Sequence, residues 1–158
     1  MTTPINFEER AFRDALGTFV TGVTIVTCYG PDGPIGITAN SFSSLSLDPP
    51  LVLWSPAKSS RRYEPFVTAK TFAVHIASHD QLDMCNGFAK SAQGPDGLEW
   101  QHSDTGCPYI DGAVTRFMCE QYTTFDGGDH TIIVGKVTDF STNDFAPLIF
   151  SRGAYSRV

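Results

Sequence analysis

Three tight-turn signals limit the folds open to this chain. Gly30-Pro31-Asp32-Gly33, Asp111-Gly112 and Asp126-Gly127-Gly128-Asp129 each separate segments rich in Val, Ile, Thr and aromatic residues. Proline presets φ in the first turn, and glycine after aspartate accepts dihedrals closed to other residues. Such short turns join antiparallel neighbours, because parallel neighbours need a crossover of a dozen or more residues. The flanks predict a hairpin of strands 20–29 and 34–39, a short strand 107–110 turning into a long strand 113–125, and a return strand 130–140. Strands are also expected at 51–55, 71–76, 147–150 and 154–158, on β-branched and aromatic content. Gly22 inside the first strand marks a bulge or a close backbone approach.

Helical signals are fewer. Asn6 can cap a helix over 6–18, with Glu9 completing a capping-box pattern. Phe7, Ala11, Phe12, Ala15, Leu16 and Phe19 then form one apolar stripe, expected to pack on the sheet. Further helices are expected at 61–69 and at 81–89, the latter capped by Asp80. Residues 90–105 show no period and read as a long excursion. With no repeat or linker in its 158 residues, the chain reads as a single domain, 1–158. Seven or eight strands with two or three helices predict a mainly β fold with added helices, an antiparallel barrel rather than a doubly wound sheet.

Two stretches carry polar chemistry. From Gly36 the hairpin's second strand runs into Asn40-Ser41-Phe42-Ser43-Ser44-Leu45-Ser46-Leu47 and stops at Asp48-Pro49-Pro50. The middle is too polar for a core and too poor in charge for a solvated face. It suits an edge that holds a multiply hydrogen-bonding ligand against a rigid sheet; the competing reading is a plain Ser-rich connection. Next, Lys58-Ser59-Ser60-Arg61-Arg62 concentrates three of the chain's 11 Lys and Arg beside two hydroxyls, directly ahead of the helix expected at 61–69. Free N–H groups, the helix dipole, hydroxyls and cations together make a phosphate seat. The alternative is an N-cap serine with solvated basic neighbours.

Other classes are disfavoured. A net charge of −6 argues against general nucleic-acid binding. No apolar run approaches a membrane span, and the N-terminus does not resemble a signal peptide, so a cytoplasmic location is expected. Cys28, Cys85, Cys107 and Cys119 form no C-x-x-C pair and read as small buried hydrophobes; the four histidines lack metal-ligand spacing, so no metal is expected. His75, within a strand, reads as structural. Dinucleotide, Walker and nucleophile-elbow motifs are absent. A hydroxyl-rich edge, a phosphate seat and His130 at a hairpin exit remain, which fit a cofactor site better than hydrolytic machinery.

Phe12-Arg13-Asp14-Ala15-Leu16-Gly17, Thr21-Gly22-Val23-Thr24-Ile25-Val26-Thr27, the run from Gly36 to Val52, Lys58-Ser59-Ser60-Arg61 and Gly128-Asp129-His130-Thr131 follow one another in an order that resembles the flavin reductase family. The likeness is closer to the short reductase components of two-component flavin-dependent monooxygenases. It implies a split β-barrel related to FMN-binding proteins, a homodimer, and FMN or FAD reduced by NADH or NADPH. It implies that Thr38, Ala39, Asn40, Ser41 and Phe42 line the flavin, that Ser59, Ser60 and Arg61 hold its phosphate with Lys58 near, and that Phe88 and Tyr155 contact it. His130 is the one catalytic candidate, facing the nicotinamide. Reduced flavin would diffuse to a monooxygenase partner. Two readings compete: a flavin-binding carrier or sensor of the same fold without NAD(P)H turnover, and a scaffold that binds no flavin.

Overall fold

The computed structural model describes residues 7–158. The first helix, α1 (Glu9–Leu16), is capped by Glu8, whose carboxylate accepts the N–H groups of Arg10 and Ala11 at 2.9 and 3.0 Å. The expected Asn6 cap lies outside the described residues. The apolar stripe does not pack on the sheet: no residue of α1 is buried, and Phe12 and Leu16 are 48% and 58% exposed. The helix ends at Gly17, whose carbonyl accepts the Arg152 N–H at 2.8 Å, and residues 18–20 lead into β1 (Thr21–Gly22).

At Gly22 the expected continuous strand divides instead of bulging. β1 pairs with β11 (Leu148–Ser151), which pairs with β12 (Ala154–Arg157). Beyond Val23, β2 (Thr24–Gly30) joins the main sheet between β3 (Gly33–Ala39) and β6 (Thr71–Ile76). The Ser-rich stretch contains a strand that composition hid. β4 (Ser43–Leu47) pairs with β5 (Pro50–Trp54), since ladder pairing overrides the weak β-propensity of serine.

The second helix, α2 (Tyr63–Thr68), precedes β6. A 3₁₀ turn, His79–Gln81, then leads into α3 (Leu82–Lys90); Ser78 with Gln81 forms the capping box of the 3₁₀ turn, and the residue at the N-cap of α3 is Gln81, not Asp80. The hairpin expected at Asp111-Gly112 does not form. β8 (Pro108–Tyr109) pairs with β7 (Gln101–His102), whereas β9 (Thr115–Gly127) pairs with β6 and with β10 (His130–Thr142). Gly112, at φ +97°, turns the chain, but nonlocal partners decide the pairing.

The main sheet is antiparallel in the order β3-β2-β6-β9-β10-β5-β4. Its two edge strands, β3 and β4, are joined only by Asn40, Ser41 and Phe42. A link that short spans at most about 14 Å, so the sheet must curl until its edges meet at one end. The edges do not pair with each other. The result is a split barrel, as expected, with residues 40–42 at the split. Val26, Val52, Trp54, Phe66, Phe72, Val74 and Ile133 fill the barrel. A second cluster, including Val23, Ile25, Cys85, Phe88 and Leu148, packs α3 and the smaller sheet onto β2. Among the described residues no helix is long and apolar enough to cross a membrane.

Candidate functional site

The site begins at the free edge of β3. The Gly36 N–H donates to the Ala92 carbonyl at 2.9 Å, and the Gly36 carbonyl accepts Arg62 Nη1 at 2.9 Å. Both groups therefore point away from β2. Strand periodicity turns the N–H and C=O of Thr38 the same way, and neither has a backbone partner among the described residues. An open donor and acceptor thus stand side by side.

A cavity of about 210 Å³ lies at this edge, lined by Thr38, Ala39, Asn40 and Tyr155, with Val23, Ala89 and Phe150 as its apolar part. Thr38 Oγ1 donates to the Cys85 carbonyl at 2.7 Å and latches the edge to α3. The Asn40 amide is exposed and has no partner among the described residues. Tyr155 packs on Phe150 with ring centroids 5.2 Å apart, and burial pushes its phenol above the usual range. Ser41 and Phe42 act differently. Ser41 Oγ accepts the Ser55 N–H at 2.9 Å, and Phe42 stacks on Phe117 at 5.9 Å. These two hold the split together, while Thr38, Ala39 and Asn40 face the cavity.

The basic turn is also divided in role. α2 starts at Tyr63, so Ser59, Ser60 and Arg61 lie before its first turn rather than within it. Ser60 Oγ accepts the Arg62 N–H at 3.2 Å, and Ser59 is exposed. Lys58 pairs with Asp126, and its backbone N–H donates to the Asp129 carbonyl at 2.9 Å. The side-chain hydrogen bond from Lys58 Nζ to Asp126 Oδ1 raises the Lys58 pKa and holds the Asp126 carboxyl below the usual carboxylate range. Arg61 is exposed beside a cavity of about 400 Å³ shared with Arg62, Gln93 and Trp100.

Arg62, read from the sequence only as one of the three cations of the phosphate seat, takes a structural role that the sequence does not signal. Its Nη1 bridges the carbonyls of Gly36 and Phe88, at 2.9 and 2.5 Å, and burial lowers its pKa. Nothing in the sequence separates it from Arg61 next door. The described cavities do not unite Asn40 with Ser60. Arg62 connects the two sides, gripping the edge at Gly36, about 7 Å along the strand from Thr38.

Phe88 is fully buried, its ring filling the space left by Gly36 and Gly94 and meeting Trp100 edge-on at 5.7 Å. Ala89, one step along α3, is the residue that lines the cavity. His130 opens β10. Its Nδ1 lies 2.8 Å from Asp129 Oδ1, and the pairing keeps the Asp129 carboxyl below its ordinary range. Nε2 of His130 has no partner among the described residues. His75 is fully buried between the Ile25 carbonyl and the Ile110 N–H, at 2.7 and 3.1 Å, as expected of a structural histidine. No metal-binding cluster occurs among the described residues.

The family described as Flavin reductase like domain matches residues 16–158. SmoA of Agrobacterium fabrum, an FMN reductase (NADH), is 52% identical over 94% of this chain and 86% of its own length. The reductase component of the flavin-dependent trigonelline monooxygenase of Acinetobacter baylyi is 47% identical over 92% of this chain, which spans 48% of that relative. Among solved structures, the NADH:FAD oxidoreductase SgcE6 of Streptomyces globisporus, in complex with NAD and FAD fragments, superposes with a TM-score of 0.89 at 35% identity, covering 99% of this chain and 97% of that one.

Proposed function

This chain belongs to the flavin reductase family, and we infer from it and from the β3 edge that the protein is an NADH-dependent flavin reductase that reduces FMN or FAD by hydride transfer. The observation that carries the reading is the unpaired N–H and C=O of Thr38 beside a cavity with an apolar side. The polar edge of an isoalloxazine ring needs alternating donors and acceptors, and its flat face needs apolar contact. Thr38, the Asn40 amide, Val23, Ala89 and Phe150 meet both needs, so the residues present fit the group. When bound, the flavin supplies the hydride-accepting chemistry.

The protein's part is to bind and orient. Thr38 and Asn40 fix the ring's polar edge, and Phe150 and Tyr155 exclude water from its side. Ser59, Ser60 and Arg61 hold the phosphate; Lys58, already paired with Asp126, contributes little free charge. His130 positions the nicotinamide through Nε2, its ring set by Asp129. Hydride transfer asks no side chain to move a proton. The test is to mix the purified protein with FMN or FAD and follow the absorbance of NADH, with NADPH in parallel. Oxidation no faster than the flavin-only blank sinks the reading, and stoichiometric flavin binding without oxidation favours a carrier or sensor.

Three features of the working protein follow from this reading. A homodimer is supported by apolar side chains left bare on one chain: Phe19 is 78% and Leu47 98% exposed, and the stripe of α1 is uncovered as well. Sedimentation at micromolar concentration reads it, and a monomer there contradicts it. A cytoplasmic location is supported by four cysteines that are all free and buried. The names of relatives support a monooxygenase that consumes the diffusing reduced flavin.

A further inference from the structure

We propose that Tyr63 is a positioning residue for hydride transfer: through the hydroxyl of Thr131 it fixes His130 against the turn of Ser59, Ser60 and Arg61, so that nicotinamide and flavin phosphate are held in one register. The inference rests on the reading of that turn as the phosphate seat and of His130 as the nicotinamide contact.

The turn and the start of β10 are laced together across His130. The Lys58 N–H donates to the Asp129 carbonyl at 2.9 Å, and the Thr131 N–H donates to the Pro56 carbonyl at 3.1 Å. Ala57 therefore faces His130 in an isolated antiparallel bridge. Two side-chain bonds reinforce that bridge. Lys58 meets Asp126 in an exposed pair, which water and salt weaken. Tyr63 and Thr131 join hydroxyl to hydroxyl at 2.5 Å, with Tyr63 half-buried and Thr131 only 7% exposed, where a hydrogen bond is screened less. The Tyr63 bond is thus the firmer of the two.

Strand alternation gives this bond its consequence. Thr131 turns inward to Tyr63, so His130 next to it is presented on the opposite, exposed face, where Nε2 has no partner among the described residues. Tyr63 also opens α2, and its own N–H donates to the Ser60 carbonyl at 3.1 Å. One residue therefore meets the phosphate side with its backbone and the nicotinamide side with its phenol. Hydride transfer needs the reacting atoms of the two ligands about 3–3.5 Å apart, and a misplacement of about 1 Å costs on the order of a hundredfold in rate. A side chain that sets the distance between the two anchoring points acts on that geometry through His130.

The test measures kcat/KM for NADH at saturating FMN in Tyr63→Phe, Thr131→Val and Thr131→Ser, the first also in a His130→Ala background. Phenylalanine and valine keep the shapes of the residues they replace, and the two variants break the same bond from its two ends. Each should lower kcat/KM about five- to tenfold, the scale of one lost hydrogen bond, whereas Thr131→Ser, which keeps the hydroxyl, should stay within about twofold of the wild type. Because Tyr63 acts through His130, Tyr63→Phe should change the His130→Ala enzyme by less than about twofold. An equal loss in both backgrounds, the mark of a purely structural staple, overturns the proposal, and so does full kcat/KM in Tyr63→Phe. His130→Ala that leaves NADH oxidation unchanged overturns the nicotinamide reading, and equal wild-type affinity for FMN and riboflavin overturns the phosphate seat; the inference falls with either.

Discussion

Replacing Arg62 by methionine separates the structural cation of the basic turn from the binding one. Arg62 Nη1 reaches two carbonyls, Gly36 at 2.9 Å on the cofactor edge and Phe88 at 2.5 Å on α3. Methionine keeps the apolar stem but offers neither carbonyl a donor. A hydrogen bond to a charged group contributes about 1.5–3 kcal/mol, and one nitrogen serving two acceptors in a half-buried position places the loss near the upper end, about 3 kcal/mol. For a chain of this size that lowers Tm by about 6–12 °C. Flavin binding should weaken severalfold as well, because the edge at Gly36 leads directly to Thr38. Arg61→Met is the control. Arg61 is exposed and makes no hydrogen bond to the described residues, so its loss should leave stability within about 0.5 kcal/mol while weakening flavin binding. Urea unfolding followed by tryptophan fluorescence, with flavin titration, reads both. Arg62→Met costing less than about 1 kcal/mol, or Arg61→Met costing as much as Arg62→Met, refutes the division of roles.

Burial lowers the His75 pKa from 6.5 to about 4, so the unfolded chain binds a proton that the folded one refuses between those values. Stability should therefore be full above pH 6.5 and decline by about 3 kcal/mol as pH falls to 4; His75→Gln should flatten that part of a urea-midpoint profile, and an unaltered slope contradicts the assignment. Gly36→Ala would set a methyl 2.5 Å from the Phe88 ring, itself enclosed by Gly94 and Trp100. A loss of about 1–3 kcal/mol with weakened flavin binding is expected, and a neutral variant counts against the packing argument. Burial pushes the thiols of Cys28, Cys85, Cys107 and Cys119 to about 11 or 12. The folded protein should react slowly with a thiol reagent and the unfolded protein fully, whereas fast native modification contradicts the burial.

Turn chemistry and β-branched content were sufficient, in the sequence alone, for most strands of the main sheet and for its antiparallel sense. Those are local properties: Pro and Gly restrict or free φ, and β-branched side chains favour the pleat, whatever lies elsewhere. The order of motifs likewise pointed to Thr38, Ala39, Asn40 and Tyr155, which the fold brings to one cavity. Nonlocal pairing decided the rest. Ser43–Leu47 is a strand because β5 satisfies its backbone, not because serine favours one. The chain divides at Gly22 because two different sheets compete for its flanks. Arg61 and Arg62 look alike in the sequence, and only the approach of Gly36 and Phe88 makes one of them a clamp. The stripe on α1 has an unambiguous period, yet periodicity names a face and not its partner. In each case a local pattern states what a segment can do, and the free energy of long-range burial and pairing selects which of those options the folded chain adopts.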